Sequence, residues 1–463
     1  MSSTVERERG AEADQPLLSV DELKTHFPVN SGFISSVEYG CDSEVLRQFR
    51  REQGVLGQSN ESPRDWFVDL IKSGREGLPF GFDDSAVKAV DGVNFDLYPG
   101  ETLGVVGESG CGKSTLARTI VGLEEPTAGT IRFDGRDVTD FESEDETWFR
   151  ENVQIVFQDP MSSLNPRRKV GEIIADPLEA AGWSKSEREN RAVELLEQVG
   201  LEGSYYGRYP HEFSGGQRQR VNLARALSVN PDLVIADEPV SGLDMSVQAQ
   251  ILRLMNDLQE EFGLTYLFIT HDLGVIRNMA DRVAVMYVGD FVETAPTEQL
   301  FTQPHHPYTR SLLDAVPNPN PDSRGVVSEL KGDVPSPTDP PFGCKFHPRC
   351  PAFIVPDGFT ERAYAEFADF RAAVEARTLD TEAEPRTVVD EHFEREGEMP
   401  RDAATAAREA AAAAGRGDWQ TAIETLEPFR SVCETTTPEL ERVADDQRSA
   451  CHLDAGAREE FTW

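Results

Sequence analysis

Positive charge is scarce in this chain of 463 residues: 45 lysines and arginines stand against 83 aspartates and glutamates, a formal net charge of −38. Lysine is the rarer cation, and arginine supplies most of the positive charge. A surface this acidic is repelled by phosphodiester backbones and anionic headgroups, which argues against non-specific nucleic-acid or lipid binding. Long apolar runs are missing too. No stretch approaches the ~18 uninterrupted apolar residues that a bilayer span needs. Met1–Gln15 is polar and charged, without the apolar core of a signal peptide. The expectation is a cytoplasmic protein that meets a membrane only through partner proteins. Cysteine is sparse, with six in all. In a reducing cytosol disulfides are disfavoured, so the four in the C-terminal part, Cys344, Cys350, Cys433 and Cys451, read first as a metal site. The length exceeds one ordinary core and points to two domains.

What is present is more specific. Gly107-Glu-Ser-Gly-Cys-Gly-Lys-Ser114, followed by Thr115, fits the phosphate-loop pattern GxxxxGK[ST] without a mismatch. Gly107, Gly110 and Gly112 permit backbone angles and close approaches that a side chain would block. The exposed N–H groups of Gly107, Ser109, Gly110, Cys111, Gly112 and Thr115 can then cradle phosphate oxygens at a helix N-terminus, where the dipole favours negative charge. Lys113 would reach the β- and γ-phosphates, and Ser114 would bind Mg²⁺. Thr102–Val106 reads as a buried strand entering the loop and Ser114–Val121 as the helix leaving it. The loop alone says only nucleotide, since kinases, GTPases and helicases share it.

Leu233-Val-Ile-Ala is an apolar run of the length of a buried parallel strand, and it ends in Asp237-Glu238. Acids at the carboxyl end of such a strand sit where open α/β sheets bind ligands. Asp237 is placed to hold the metal, and Glu238 to polarise an attacking water as general base.

Phe213-Ser214-Gly215-Gly216-Gln217 resembles the LSGGQ signature of ATP-binding-cassette (ABC) ATPases, with Phe for the usual Leu. Its physical logic is a second glycine-bearing helix N-terminus poised for a γ-phosphate. The resemblance implies that this phosphate belongs to ATP held by another subunit, so that Ser214 and Gly216 act in trans. It also implies a Q-loop role for Gln158 at metal and water, a D-loop in Ser241-Gly-Leu-Asp244, and a γ-phosphate-sensing switch in His271. Phe27 matches the aromatic that stacks on adenine, with Phe33 close by. Phe157–Arg167, Tyr209–Gln217, His306–Arg310, Gly343–Pro351 and Cys451-His452 resemble the oligopeptide/dipeptide importer subgroup over residues 88–355, and again from Cys433. That subgroup implies a heterodimer with a sister ABC ATPase, two transmembrane permeases and an external substrate-binding protein. The chain would then sit on the cytoplasmic face of the membrane, held through the permeases. Nickel and sugar importers use closely similar ATPases. The same resemblance implies a 4Fe–4S cluster on Cys344, Cys350, Cys433 and Cys451; zinc, with His347 or His452 substituting, is the competing choice.

The expected architecture is therefore α/β: a P-loop ABC-type ATPase core with a parallel-rich sheet, a helical subdomain and an α-rich C-terminal extension. A tail (1–17) precedes a nucleotide-binding domain (18–320). That domain carries an insertion at 31–85, with an amphipathic candidate at Pro63–Lys72, and a helical subdomain at 158–213. Val316–Ser323, rich in proline, marks the boundary to an extension at 321–463. Within the extension, 357–430 is an Ala- and Glu-rich insertion read as solvated helices, for example Arg401–Ala414. Rival classes fit less well. Lys113 and Ser214 lie too close in sequence for the long coiled coil of DNA-repair cassettes, and one cassette is too few for ribosome-acting relatives. Intact Glu238 and His271 oppose a non-catalytic regulator.

The charge balance carries its own expectation. It resembles that of proteins adapted to very salty cytoplasm, where self-repulsion is screened. Structure or ATPase activity should be lost at low ionic strength; equal ATPase rates in dilute buffer and in molar salt contradict this.

Overall fold

The computed structural model describes residues 15–29, 86–140, 146–315, 332–381, 383–393 and 399–453. The insertion at 31–85, Phe33, Cys41, the tail through residue 14 and the Val316–Ser323 boundary lie outside the described residues.

Two sheets carry the first part of the molecule. Strands β1 (Leu18–Pro28), β2 (Ala86–Leu97), β4 (Ala128–Phe133) and β5 (Arg136–Asp137) form an antiparallel sheet in the order β2-β1-β4-β5. The larger sheet has eight strands in the order β11-β12-β10-β9-β3-β8-β7-β6. Its centre is parallel: β9 (Arg282–Tyr287), β3 (Thr102–Val106), β8 (Thr265–Thr270), β7 (Leu233–Asp237) and β6 (Val153–Val156). Every residue of β3, β7 and β8 is buried, as expected for parallel strands covered on both faces.

The period of two divides these strands between two cores. Leu103, Val105, Ile235, Leu267 and Ile269 pack with Leu116 and Ile120 of the helix Lys113–Ile120, and with Leu18, Val20 and Phe133 of the small sheet. Val234, Ala236, Tyr266, Phe268 and Val285 point the other way, onto Val221 and Leu223 of the helix Gly215–Ala226 and Ile251 of the helix Met245–Phe262. Each such fully buried Leu, Val, Ile or Phe contributes ~1.5–3 kcal/mol, so the layer position of the sheet is heavily determined. Between Gln158 and Phe213 the chain is helical, with Val170–Ala180 and Lys185–Gln198 the longest segments.

The chain beyond residue 332 divides into two parts. Strands β11 (Glu441–Ala444) and β12 (Gln447–Ser449) pair antiparallel onto β10 (Asp290–Pro296) and extend the nucleotide sheet at its edge. The helices Glu361–Glu375, Pro385–His392, Arg401–Gly415 and Trp419–Leu426 pack around a core of their own. This corrects the reading of 357–430 as solvated helices. Ala403, Ala407, Ala410 and Ala414 lie on one buried face against Phe367, Phe370 and Val374, while Asp402, Thr405, Arg408 and Glu409 stay in solvent. Alanine is small enough for close helix approach, so a composition that reads as solvated helix also serves a packed interface. The signal that was available is the spacing of the polar residues, which leaves one continuous apolar face.

Candidate nucleotide site

The phosphate loop hangs between β3 and the helix Lys113–Ile120, and its glycines are dictated by what lies behind them. A Cβ on Gly112, whose φ is 110°, would sit 1.9 Å from the Ala89 carbonyl oxygen. A Cβ on Gly107 would sit 2.2 Å from the Met286 carbonyl oxygen. Strands β2 and β9 thus pass too close for any side chain there. Lys113 is buried, and its ammonium donates to the carbonyl oxygens of Gly107 (2.9 Å) and Glu108 (3.0 Å). Cys111 turns into the core, where burial pushes its thiol pKa up against the lowering influence of Lys113.

Opposite the loop, β7 delivers two acids. Asp237 is buried and accepts a hydrogen bond from the Ser114 hydroxyl at 3.0 Å. Burial pushes the Asp237 pKa up, and the neighbouring Glu238 charge adds to this while the Ser114 bond opposes it. Glu238 follows with φ 48°, a left-handed backbone rarely adopted by a non-glycine residue and one that turns the carboxylate off the strand direction. Its two oxygens are both engaged: Oε2 accepts from Gln158 Nε2 at 2.8 Å, and Oε1 lies 3.0 Å from His271 Nδ1. Residues from three strand ends therefore converge on one carboxylate.

Gln158, Glu238 and His271 share a cleft of about 620 Å³ with Phe27, Ser109, Gly110, Lys113, Ser114 and Thr115. Val87, Ala89, Ser241 and Pro337 also line it, and sequence reasoning had not singled out the side chains of these four. Ser241 was within reach of the D-loop match; Val87 and Ala89 were hidden because a strand residue reveals its face only once paired. Ser114, Asp237 and Gln158 present oxygen donors of the kind a hard Mg²⁺ ion takes, with water and phosphate completing the shell. The donor set fits that ion.

The signature lies elsewhere. Ser214 caps the helix Gly215–Ala226 through a reciprocal pair of bonds with Gln217, at 3.0 and 3.4 Å. Ser214 and Gly215 are exposed, whereas Gly216 is buried where a Cβ would lie 2.4 Å from Val247. Asp244 caps Met245–Phe262 beside it, with its carboxylate accepting from the Ser246 and Val247 N–H groups. Ser214, Gly215, Gly216, Gln217 and Asp244 do not line this cleft.

The family model for ABC transporter matches residues 90–241, and that for the oligopeptide/dipeptide transporter C-terminal region matches 292–353. The oligopeptide transport ATP-binding protein AppF of Bacillus subtilis is 55% identical over 271 residues, 57% of this chain and 82% of the relative. The chain belongs to the ABC transporter ATP-binding subunits of the oligopeptide/dipeptide type. The dipeptide transport ATP-binding protein DppF of Escherichia coli is 52% identical over 265 residues, 57% of this chain and 79% of the relative. Among solved structures, a dimeric post-hydrolysis state of the cassette MJ0796 with ADP and Pi matches with a TM-score of 0.44 and 25% identity, over 60% of this chain and 98% of that one. As an ABC ATPase, the subunit uses ATP and Mg²⁺ and hydrolyses ATP. Residues 361–446, which hold the alanine-rich helices, match a domain of unknown function.

In this ABC ATPase the four C-terminal cysteines converge, although Cys350 and Cys433 are far apart in sequence. The Cys344 N–H donates to the Cys433 carbonyl at 2.9 Å. Burial pushes the Cys344 thiol up to about 12, and the proximity of Cys451 and Cys433 pushes the same way. Cys350 is raised by burial too, and by Cys344, Cys451 and Cys433. One tetrahedral ion holds ligands 2.3 Å away, hence about 3.8 Å from one another. Among the described residues no group of three or more His, Cys, Asp or Glu is set to hold a metal ion. Each of the two histidines offered for zinc engages a carbonyl through one ring nitrogen, leaving the other: His347 Nδ1 lies 2.9 Å from the Cys344 carbonyl oxygen and His452 Nε2 lies 2.7 Å from that of Thr436. Among the described residues no helix is long and apolar enough to cross a membrane.

Proposed function

We propose that this subunit drives uptake of oligopeptides or dipeptides by closing on ATP against a sister ABC ATPase beneath two membrane permeases, at the cytoplasmic face of the membrane. The observation that carries the chemistry is the Glu238 carboxylate held between Gln158 and His271 across the cleft from Lys113. In this reading Lys113 binds the β- and γ-phosphates, and Ser114, Asp237 and Gln158 would hold Mg²⁺. Phe27 stacks on adenine, Glu238 takes the proton of the attacking water, and His271 senses the γ-phosphate. The exposed N-terminus of the helix Gly215–Ala226 suits a partner's triphosphate, so Ser214 and Gly216 act in trans. Residues 18–320 form the nucleotide-binding domain, 158–213 the helical subdomain that receives the permeases' coupling helices, and 321–463 the extension.

Cys433 is buried and Cys344, Cys350 and Cys451 are partly buried within electrostatic reach of one another, and four thiolates are the ligand set of a 4Fe–4S cluster. Its presence would neutralise the cost of burying four sulfur ligands and tie Gly343–Cys350 to Cys433 and Cys451.

One preparation tests both readings. The complex of this subunit with its sister, the permeases and an external binding protein, purified anaerobically and reconstituted, should show ATP hydrolysis stimulated several-fold by peptide-loaded binding protein, with about four irons and four sulfides per cluster. Stimulation by nickel or a sugar instead of peptide refutes the substrate assignment. A folded, iron-free subunit refutes the cluster.

A further inference from the structure

The phosphate loop is held from outside by the C-terminal segment, and this contact is absent from the ATP-site reading above. Glu108, the second residue of the loop, is engaged at three points. Its carboxylate takes a two-pronged bond from Arg349, with Nη1 at 2.7 Å and Nη2 at 3.1 Å. Its N–H donates to the Tyr308 hydroxyl at 3.0 Å, and its carbonyl receives the Lys113 ammonium at 3.0 Å. Arg349 is 6% exposed and Glu108 26% exposed at the side chain. The guanidinium also reaches the Tyr287 hydroxyl at 3.4 Å, and its Nε has no hydrogen-bond partner among the described residues. Tyr287, Tyr308 and Phe346 pack around it with ring centroids 4.6 to 5.3 Å apart.

The energetics of this arrangement run one way. A buried guanidinium is costly to desolvate and is kept only by a partner of opposite charge, so Arg349 and Glu108 hold each other in place. Without Arg349 the phosphate loop would carry an uncompensated carboxylate, and an added negative charge in a partly buried loop weakens its hold on an anion. The backbone carbonyl of the same residue seats Lys113, so a displaced Glu108 also misplaces the ammonium. We infer that Arg349 is a positioning residue for ATP binding: through Glu108 it neutralises the loop's acid and fixes the Lys113 seat, with Tyr308 holding the Glu108 N–H. The C-terminal segment thereby sets the nucleotide affinity of a loop more than two hundred residues away. This rests on the assignment of the cleft as the ATP site, and the controls below separate the two.

The test is titration of the full-length chain with a fluorescent ATP analogue and Mg²⁺, alongside thermal unfolding with and without ATP, for Arg349→Gln, Glu108→Gln, the double variant and Lys113→Ala. Arg349→Gln should raise Kd by roughly tenfold or more, because it leaves the Glu108 charge bare. The double variant should return to within about threefold of Glu108→Gln alone, since the charge is then gone. A purely structural role predicts the opposite, a double variant at least as weak as the single. Should Arg349→Gln fail to fold, Arg349→Lys decides: it keeps the compensating charge, so an ATP Kd within about threefold of wild type is expected, and a loss of roughly tenfold or more overturns the inference. A wild-type Kd in folded Arg349→Gln overturns it as well. If Lys113→Ala binds ATP like wild type, the ATP-site assignment itself fails; if Lys113→Ala loses binding while Arg349→Gln does not, only the inference fails.

Discussion

Replacing Glu238 by Gln should lower ATP turnover by about 10²–10⁴-fold while leaving ATP binding intact. Gln keeps the shape and can still meet Gln158 and His271, which lie at 2.8 and 3.0 Å from the two carboxylate oxygens. What it loses is the anionic, basic oxygen that can take a proton from water. In the proposed reading, binding rests on Lys113, Ser114 and the loop N–H groups, which the substitution does not touch. An assembly with the sister subunit should therefore accumulate in the ATP-bound, closed form, visible as a nucleotide-dependent dimer in gel filtration. Phosphate release within a few-fold of wild type would show that Glu238 is not the base and would direct attention to His271. The left-handed backbone at Glu238 suggests a complementary reading of the same data: strain held at an acid is retained where its direction matters.

Arg371→Met should cost the C-terminal region about 3–5 kcal/mol, the usual result of stripping one partner from a buried ion pair. Arg371, on the helix Glu361–Glu375, bonds Glu434, with the two side chains 7% and 10% exposed. The Tyr364 hydroxyl joins the same carboxylate and also accepts the Ser431 N–H at 2.8 Å. Burial pushes Glu434 up, but the Tyr364 hydroxyl and the Arg371 charge outweigh it and hold its pKa below the ordinary value. A depressed acid stabilises the fold above its unfolded pKa, and that stability is lost as pH falls through the folded value. Urea unfolding of wild type should thus weaken below about pH 4.5, whereas Arg371→Met, already lacking the pair, should show a flatter acid limb. Equal unfolding midpoints at neutral pH would remove this network from the account. The consequence reaches function, because Glu434 adjoins Cys433 and the network ties the alanine-rich helices to the cysteine-bearing turn.

Legibility differed along the chain for physical reasons. The strands at Thr102–Val106 and Leu233–Asp237 were plain because parallel strands buried on both faces read as unbroken apolar runs. The phosphate loop and the acids after β7 were plain because each works through contiguous backbone, so its spacing is printed in the chain. The helices of 361–426 were read as solvated because alanine is a good helix former on either side of a boundary, and only their pairing shows which face is covered. The edge strands β11 and β12 gave no sign of their partner, since a short strand names its own period and not its neighbour.

From residue order alone came the chemistry: a phosphate cradle, a metal acid, a base and a signature, all local patterns whose geometry the backbone carries within a few residues. Tertiary structure alone decided that Arg349 grips Glu108, that Cys350 lies within electrostatic reach of Cys344, Cys433 and Cys451, and that Ser214 lies outside its own chain's cleft. Contacts across hundreds of residues obey no period, because they arise from how finished elements pack, and packing is settled by shape and charge in three dimensions.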